Sequence, residues 1–544
     1  MPVPKPALQN SNSVARPPAL PAYVANQGCQ FAFLTGSDFP EKHNIAWRIE
    51  LAEDDRANPL IEPKYPWDAG SIASYGTVMR DPTDELWKMW YISRHPRPAP
   101  TSGPATGWIL TYAESEDGAQ WIRPELDISL HQGQKTNILL DLASGGLSQQ
   151  ASVIVHPDAP PEWRYEMFIF RWTSYEGASH AVSGFPLTPG ETRHSDGIYR
   201  YHSADGKRWQ AWEKIELDTR DSIWVSQMPD GNYQAMSKIC MPAPPGGVIP
   251  YDCAVGECRI MVRRTSADGT HWTPYQLAVT PDWQDSPDTQ FMELMAVPQR
   301  DGFVGLLTVY HGMSQSIDIQ FAASRDGKTW WRPDRRACVP LKPLGDPGGG
   351  MIWPMQPTIQ HDGRMYLFYS AQEGLHGDYL STQVVERALQ GGLPKWPNYW
   401  TGVHMGDESY TPIASLLGSH GVMCRSSWTE GRLWAAVTAS GGPLEGMLGT
   451  KPLSAGGKCL TVNAVTVGDG RLEAELLQDN KPIPDFARAD CIPFQGNSKS
   501  GPIRWKGGDH CPAENVRVRF YLKQARLYSF DWSAQPATTR EQKR

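Results

Sequence analysis

Four carboxylic acid residues lie where short apolar segments of the sequence begin, or within such a segment. They are Asp68, Asp221, Asp288 and Glu293. Two carboxyl groups that lie close together in a partly buried site repel each other, which raises the pKa of one of them. One group can then donate a proton while the other accepts one or attacks an electrophile. These residues are therefore our candidates for catalysis, provided that the fold brings at least two of them together.

The elements that must position these residues are indicated by an internal repeat. The sequence Ser-x-Asp-Gly-x-x-Trp occurs four times, at residues 115–121, 203–209, 266–272 and 324–330. An Asp-Gly pair between extended segments predicts a tight hairpin turn, because both residues tolerate the positive φ angles that the turn requires. The Ser and Asp side chains can bond the turn amides, and the Trp can pack on a neighbouring unit. Such a repeat is typical of the blades of a β-propeller.

Four predicted blades carry the full motif, and a fifth, over residues 351–393, lacks it. In a four-stranded antiparallel blade, the inner strand begins on one face of the ring, and the Ser-x-Asp-Gly turn lies on the opposite face. The aspartates of the repeat are therefore predicted to be structural: Asp117, Asp205, Asp268 and Asp326. Asp81, in an Arg-Asp-Pro sequence, falls on that same opposite face. The four candidate carboxyl groups are instead predicted to line the face where the inner strands begin.

The whole chain is predicted to be all-β, a five-bladed propeller followed by a C-terminal β-sandwich of jelly-roll or lectin-like type. We expect a disordered leader over residues 1–26, and strands in 27–66 that close the ring or join the last domain. The propeller is assigned to residues 67–395, the sandwich to 396–535 and a tail to 536–544.

The repeated turns, the run Trp-Lys-Met-Trp-Tyr at residues 87–91 and the C-terminal sandwich together resemble the five-bladed propeller glycoside hydrolases, the group around families 32, 43 and 117. The resemblance implies hydrolysis of a glycosidic bond by two carboxyl groups in the central pocket. Families 32 and 43 place acids on the first three inner strands. Here the second inner strand, at residues 147–151, has no acid, so the catalytic set has moved to the third and fourth blades or has been lost. The sequence leaves retention and inversion open.

A second set of residues is predicted to bind the carbohydrate substrate on the same face. It comprises His95, Glu176, Trp224, His311, Trp353, Glu373 and His376. Histidines at loop tips can bond sugar hydroxyl groups, and a sugar ring packs well on an indole. Each residue also has an ordinary structural explanation, since most tryptophans of a propeller pack between blades.

Composition excludes several classes of function. The 544 residues carry a net charge of −8 with a pI near 6.0, which argues against nucleic acid or an anionic membrane as a partner. We find neither a signal-peptide pattern nor an apolar run long enough to span a membrane. The nine cysteines lack metal-type spacing and favour a reducing, cytoplasmic setting. No cofactor and no metal site are predicted, although an oxygen-ligated Ca²⁺ in the central channel would leave little trace in a sequence. The oligomeric state is left open.

Three functions remain as hypotheses. The first is a glycosidase that uses two carboxyl groups in the propeller pocket. The second is a non-catalytic protein that binds carbohydrate or serves as a scaffold. The third is a polysaccharide lyase, for which His95 and its arginine neighbours would have to share a pocket with His311 or His376.

Overall fold

The computed structural model describes residues 20, 31–68, 70–96, 106–140, 147–172, 197–215, 217, 223–242, 257–376, 420–440 and 444–534. Regular structure in these ranges is almost entirely β-strand. The helical elements found there are short 3-10 turns, at Gly36–Asp38, Pro66–Asp68, Pro161–Trp163 and Arg488–Asp490. The predicted all-β class is confirmed.

The chain begins with three short strands that precede the propeller. They are β1 (Glu41–His43), β2 (Ile45–Ile49) and β3 (Glu53–Asp54). Leu20, in the predicted leader, is buried, and its carbonyl oxygen accepts a hydrogen bond of 3.2 Å from Gln227. The other residues of the predicted leader lie outside the described ranges.

The first three blades are four-stranded antiparallel sheets whose strands follow one another outward from the centre. Blade 1 consists of β4 (Ile72–Arg80), β5 (Trp87–Pro96), β6 (Thr106–Ser115) and β9 (Ile138–Leu140), with a hairpin of β7 (Leu126–His131) and β8 (Gln134–Thr136) inserted before β9. Blade 2 consists of β10 (Leu147–Val155), β11 (Tyr165–Trp172), β12 (Gly197–Ser203) and β13 (Gln210–Ile215). Blade 3 consists of β14 (Ile223–Gln227), β15 (Tyr233–Pro242), β16 (Glu257–Ser266) and β17 (Gln276–Val279).

The last two blades depart from this regular pattern. Blade 4 consists of β18 (Thr289–Gln299), β19 (Gly302–His311) and β20 (Ser316–Ser324). Blade 5 consists of β21 (Met351–Pro354) and β22 (Ile359–His361), which both pair with β23 (Arg364–Gln372), followed by β24 (Gly421–Thr429). Its outer strand is β3, which pairs with β24 in antiparallel fashion. Parallel bridges from blade 1 to blade 5, Thr77 to Gln356 and Ser71 to Gly421, close the ring.

The pairing of β24 differs from the predicted domain boundary. Residues 421–429 were assigned to the sandwich, but their sheet partners are β23 and β3 of blade 5. The physical reason is that a run of strand-forming residues suits either sheet, and only pairing with a partner distant in sequence selects one.

The C-terminal region is a nine-stranded sheet that also contains β1 and β2. Its further strands are β25 (Trp434–Thr438), β26 (Gly446–Gly449), β27 (Leu453–Ser454), β28 (Cys459–Gln478), β29 (Lys481–Pro482), β31 (Asn497–Pro502) and β33 (Asn515–Ser533), and a separate pair is formed by β30 (Cys491–Ile492) and β32 (Arg504–Trp505). The long strands β28 and β33 pair over most of their length, with irregularities after Asn463 and Thr466. Such irregularities bend a sheet, and this one surrounds an apolar core of its own.

The four repeats form the same hydrogen-bonded turn. In the first copy, Ser115 Oγ accepts a hydrogen bond of 2.9 Å from the amide of Gly118, and Asp117 Oδ1 accepts bonds of 2.8 Å from two amides that follow. The other three copies make the same contacts. The hydrogen bond from the Gln120 amide is the main cause that lowers the pKa of Asp117. The four aspartates of the repeat are thus structural, as predicted.

Candidate active site

We call the face on which the five inner strands begin the upper face, and the face of the Ser-x-Asp-Gly turns the lower face. Near the upper face, the inner strands of blades 1, 2 and 4 are each interrupted by a register shift, around Tyr75, Gln150 and Met292 respectively. Tyr75 and Gln150 adopt positive φ angles of 28° and 55°. A β-bulge redirects side chains out of the regular alternation, and bulges are frequent next to active sites. These bulges mark the candidate site.

Among the predicted acids that the structure describes, Glu293 is the one that reaches the centre of the ring. It follows the bulge in β18 and is only 1% exposed. Gln150 Nε2, from blade 2, donates a hydrogen bond to Glu293 Oε1, and Gln150 Oε1 accepts one from the amide of Ile223 in blade 3. Thr308 Oγ1 lies 3.5 Å from Glu293 Oε2. Because one network joins blades 2, 3 and 4, the carboxyl group of Glu293 lies near the axis.

A second polar network joins the inner strands one layer further down. Gln356 Nε2, from blade 5, donates a hydrogen bond of 2.7 Å to the carbonyl oxygen of Val225 in blade 3. Gln356 Oε1 lies 3.3 Å from Ser152 Oγ of blade 2, which also accepts a bond of 3.0 Å from the Val225 amide. Side chains and backbone from three blades thus meet across the channel. This network crosses the channel below Glu293, and we call it the floor of the candidate site.

Aromatic side chains pack together on one side of the candidate site. Trp353 is 5% exposed, and its ring centroid lies 5.2 Å from that of Tyr75 and 6.2 Å from that of His376. His376 in turn lies 4.8 Å from the ring of Tyr310. Trp353 and Tyr310 share a small apolar cluster with Met292, the residue before Glu293. Two predicted binding residues, Trp353 and His376, are therefore brought together beside Glu293.

Asp288 lies at the upper end of β18, away from the floor. Its carboxylate accepts hydrogen bonds from Ser286 Oγ at 2.5 Å and from the Met313 amide at 2.9 Å. Burial raises its pKa, but these hydrogen bonds and the charge of His311 outweigh burial and lower it. At about 3.3 Å per residue, the Cα atoms of Asp288 and Glu293 are separated by roughly 16 Å of strand. Either glycosidase mechanism requires carboxyl groups about 5 to 9.5 Å apart, so this spacing does not favour the two as a pair.

His311 lies on the upper face beside Asp288. Its Nε2 is 2.8 Å from Asp318 Oδ2. Burial lowers the pKa of His311, but the hydrogen bond to Asp318 and the nearby carboxylates raise it above the ordinary 6.5. The imidazole therefore keeps its positive charge to a higher pH than a free histidine does.

Asp68 has a different environment from the other candidates. Its carboxylate is fully buried and accepts hydrogen bonds from Arg123 Nη1 at 2.8 Å, from Ser93 Oγ at 3.1 Å and from the amides of Lys64 and Tyr65 at 2.9 Å each. Both oxygens are thus used to hold the 3-10 turn in place. These contacts favour a structural role for Asp68 over the predicted catalytic one.

The other predicted site residues are spread more widely. Trp224 is buried between blades 3 and 4, where it lines a cavity of about 10 Å³ with Met295 and Gln356, and this position favours packing. Glu373 lies at the upper end of blade 5, 3.1 Å from His420 Nδ1. Asp221, Glu176 and the side chain of His95 lie outside the described residues, so their roles stay predictions.

Sequence reasoning missed Gln150, Tyr75 and the floor residue Gln356. The sequence did carry a signal for Gln150. The resemblance implies a carboxylate on the second inner strand, and the sequence has the amide of Gln150 on that strand instead. Within the described ranges, we find neither a group of three or more side chains arranged as metal ligands nor a helix with the length and apolar composition needed to cross a bilayer.

No protein-family model matches the chain, and no curated protein matches its sequence. Solved structures do match. A β-1,2-mannobiose phosphorylase from Listeria innocua shares 11% identity over 61% of this chain and 94% of its own, with a TM-score of 0.41. A glycosyl hydrolase from Bacteroides ovatus shares 14% identity over 59% of this chain and 91% of its own, with a TM-score of 0.37. A structure of the GH130 family of mannoside phosphorylases, described as containing hydrolases of β-1,2-mannosidic linkages, shares 16% identity over 59% and 91%, with a TM-score of 0.38.

The matched proteins belong to the glycoside-acting class that the sequence motifs resemble. Their identities and TM-scores are too low to carry an argument about activity. The propeller itself is established by the strand pairing of this chain, with five blades around one axis.

Proposed function

We propose that the protein cleaves a glycosidic bond by hydrolysis, with Glu293 as one of the two reacting carboxyl groups. The observation that carries the proposal is the position of Glu293, which is buried near the axis and held by Gln150 from another blade. A buried carboxyl group whose orientation is fixed by an amide donor is suited to general acid or general base catalysis. The amide of Gln150 orients the group and adds no competing charge.

The second carboxyl group in this proposal is Asp221, which stands two residues before Ile223 in the sequence. Ile223 belongs to the same hydrogen-bond network as Glu293. One carboxyl group protonates the departing glycosidic oxygen, and the other activates water or attacks the sugar, so that the elements of water are added across the broken C–O bond.

The kinds of side chain around Glu293 support a sugar as the occupant. Gln356 lies below it in the channel, and the aromatic rings of Trp353 and Tyr75 lie near Met292, the residue before Glu293. A sugar ring has an apolar face that packs on such rings and hydroxyl groups that bond to polar side chains. The candidate site therefore suits a sugar unit of a glycan.

The first experiment measures product release by the purified protein from a panel of glycans and aryl glycosides, followed by mass spectrometry. We expect products whose masses sum to that of the substrate plus one water. Glu293→Gln should lower kcat by about 10²- to 10⁴-fold with a small change in KM, because it removes the ionisable group and preserves the shape. Glu85→Gln is the matched control, since Glu85 is exposed in a turn on the lower face. Unchanged turnover in Glu293→Gln rejects the assignment.

A second candidate reaction is transfer of the sugar to inorganic phosphate. Arg259 is buried, and its guanidinium lies 5.8 Å from the centroid of Tyr310, which packs against His376 at the candidate site. A buried cation beside such a site is a binding group for an anion. The same panel is run with and without phosphate, and a sugar phosphate as product would favour phosphorolysis over hydrolysis.

A non-catalytic role is the third candidate. The hydrogen bonds that occupy both carboxylate oxygens of Asp68 and Asp288 favour it, because they leave those groups in structural roles. Binding of glycans without any product in the same panel would support this role.

A further inference from the structure

Trp283 lies in the loop that joins β17 of blade 3 to β18 of blade 4. Its side chain is 87% exposed, the highest value among the large apolar side chains of the described residues. Leaving an indole in water forgoes the hydrophobic stabilisation that its burial provides. Such exposure therefore calls for a physical reason.

The loop that carries Trp283 is held rigidly on both sides of it. Arg335 Nη2 lies 2.6 Å from Asp282 Oδ2, and Arg332 Nη1 lies 2.6 Å from Asp285 Oδ2. The amide of Asp282 also donates a hydrogen bond of 2.8 Å to Asp285 Oδ2, and the side chain of Arg332 is only 2% exposed. Two arginines and this hydrogen bond therefore hold the backbone on both sides of Trp283.

The loop lies on the upper face, where the inner strands begin. Asp288 stands five positions after Trp283, at the upper end of β18, and accepts a hydrogen bond from the Met313 amide. A chain of five residues spans at most about 18 Å. The indole therefore lies on the same face of the ring as the upper end of β18, the strand that carries Glu293.

We propose that Trp283 is a platform that binds a sugar unit of a glycan chain at a distance from the candidate site. The apolar face of a pyranose ring packs on the flat indole, and its hydroxyl groups bond to the exposed polar groups beside it, Asp282 and Gln284. A rigid loop keeps the binding surface ready, so that little conformational entropy is lost on binding. This inference rests on the proposed function, because it takes the occupant of the candidate site to be a glycan.

The test compares short and long substrates in the full-length protein. The probes are gluco-, manno-, galacto- and arabino-oligosaccharides of two and of six units, together with aryl monoglycosides. We expect Trp283→Ala to raise KM for the six-unit substrate about tenfold and to leave aryl glycosides unaffected. Trp283→Phe keeps an aromatic surface and should raise KM for the six-unit substrate by a smaller factor. Ile122→Ala is the matched control, since Ile122 is 67% exposed but follows a lower-face turn; its constants should equal those of the wild type.

Binding to the same probes is measured by calorimetry in the Glu293→Gln background, so that platform and catalysis are judged separately. If the wild-type protein cleaves no substrate but Trp283→Ala weakens binding of the six-unit probes, the platform is supported and the proposed hydrolase is rejected. Equal affinity for the six-unit probes with and without Trp283 overturns the platform, as does the absence of binding to every probe.

Discussion

Glu166 is a buried carboxylate, like Glu293, but its contacts indicate a role in stability rather than in catalysis. It is fully buried between blades 2 and 3, where Arg200 Nε, the His156 ring at 3.1 Å and the Tyr233 hydroxyl at 2.8 Å all contact its carboxylate. Burial raises the pKa of Glu166, but the attraction of Arg200 and the hydrogen bond from His156 outweigh burial and lower it to about 2. A carboxylate with three such partners stays ionised and cannot act as a general acid near neutral pH.

Replacing Glu166 is expected to destabilise the fold. Glu166→Gln leaves the buried charge of Arg200 without its closest counter-ion, which costs about 3 to 5 kcal/mol for a buried pair. The free energy of unfolding is measured by urea denaturation. Glu213→Gln is the matched control, because Glu213 also pairs with Arg200 at 3.1 Å but is partly exposed; a loss of about 1 kcal/mol or less is expected. Equal losses in both variants would contradict the assigned role.

The same carboxylate predicts a pH dependence of stability. The folded-state pKa of Glu166 is depressed from 4.5 to about 2, so its contribution is complete above pH 4.5 and is lost as pH falls towards 2. Wild-type protein should therefore lose stability across that interval, and Glu166→Gln should show a smaller slope there. A slope identical in the two proteins would show that other carboxylates account for the acid sensitivity.

At the scale of elements, the repeated turn connects each blade to the preceding one. A Cβ atom at Gly206, in the turn of blade 2, would lie 2.9 Å from Trp90 of blade 1. The Trp90 indole also donates a hydrogen bond of 2.7 Å to the carbonyl oxygen of Gly206. Gly269 in blade 3 makes the corresponding approach to Arg200 of blade 2, and Gly327 in blade 4 approaches Arg263 of blade 3. The motif therefore recurs because it is an interface between blades as well as a turn.

Two glycine variants separate these two roles. Gly206→Ala should destabilise the protein by about 1 to 2 kcal/mol from its φ of 70° and by roughly 1 to 3 kcal/mol more from contact with Trp90. Gly133 has a φ of 83°, and a Cβ atom added there would have no atom within 4 Å. Gly133→Ala should therefore lower the free energy of unfolding only by the backbone contribution. Both are compared by urea denaturation, and a Gly206 variant no less stable than the Gly133 variant would argue against the interface.

At the scale of the whole molecule, the N-terminal segment joins both parts of the fold. Its strand β3 completes blade 5, whereas β1 and β2 extend the C-terminal sheet. On the lower face, Arg325 contacts Asp38 and Arg300 contacts Asp531, both at 2.6 Å. The C-terminal region thus contacts the lower face of the propeller.

The side chain of Asn58 helps to hold the segment after β3 against β24 of blade 5. Asn58 Nδ2 donates a hydrogen bond of 2.8 Å to the Arg425 carbonyl oxygen, and Asn58 Oδ1 accepts one of 2.8 Å from the Arg425 amide. Asn58→Ala should lower the free energy of unfolding by about 1 to 3 kcal/mol, because it removes both partners of a partly buried backbone segment. Asn232→Ala is the control, since that amide contacts only Asp230 in an exposed turn among the contacts seen, and little change is expected. A thermal denaturation series that ranks the two variants equally would reject this role.

Much of the fold could be predicted from the sequence, because its signals are local. The Ser-x-Asp-Gly turn is closed by bonds between residues two or three apart, so its four copies predict blades, their faces and the structural role of their aspartates. Part of the candidate site could be predicted for the same reason. The turns on either side of residues 289–299 mark an inner strand, and Glu293 lies within it.

What the sequence by itself determined is therefore the class of fold, the count of blades and the face on which the repeated turns lie. Only the tertiary structure decided that Gln150 meets Glu293 across 143 positions and that β3 and β24 complete the fifth blade. It also distinguished Asp68, whose two carboxylate oxygens accept hydrogen bonds from Arg123, Ser93 and two nearby amides, from Glu293, which lies near the axis. The physical reason is that closing a ring joins segments distant in the chain, and those contacts depend on the packing of all five blades together rather than on any local pattern.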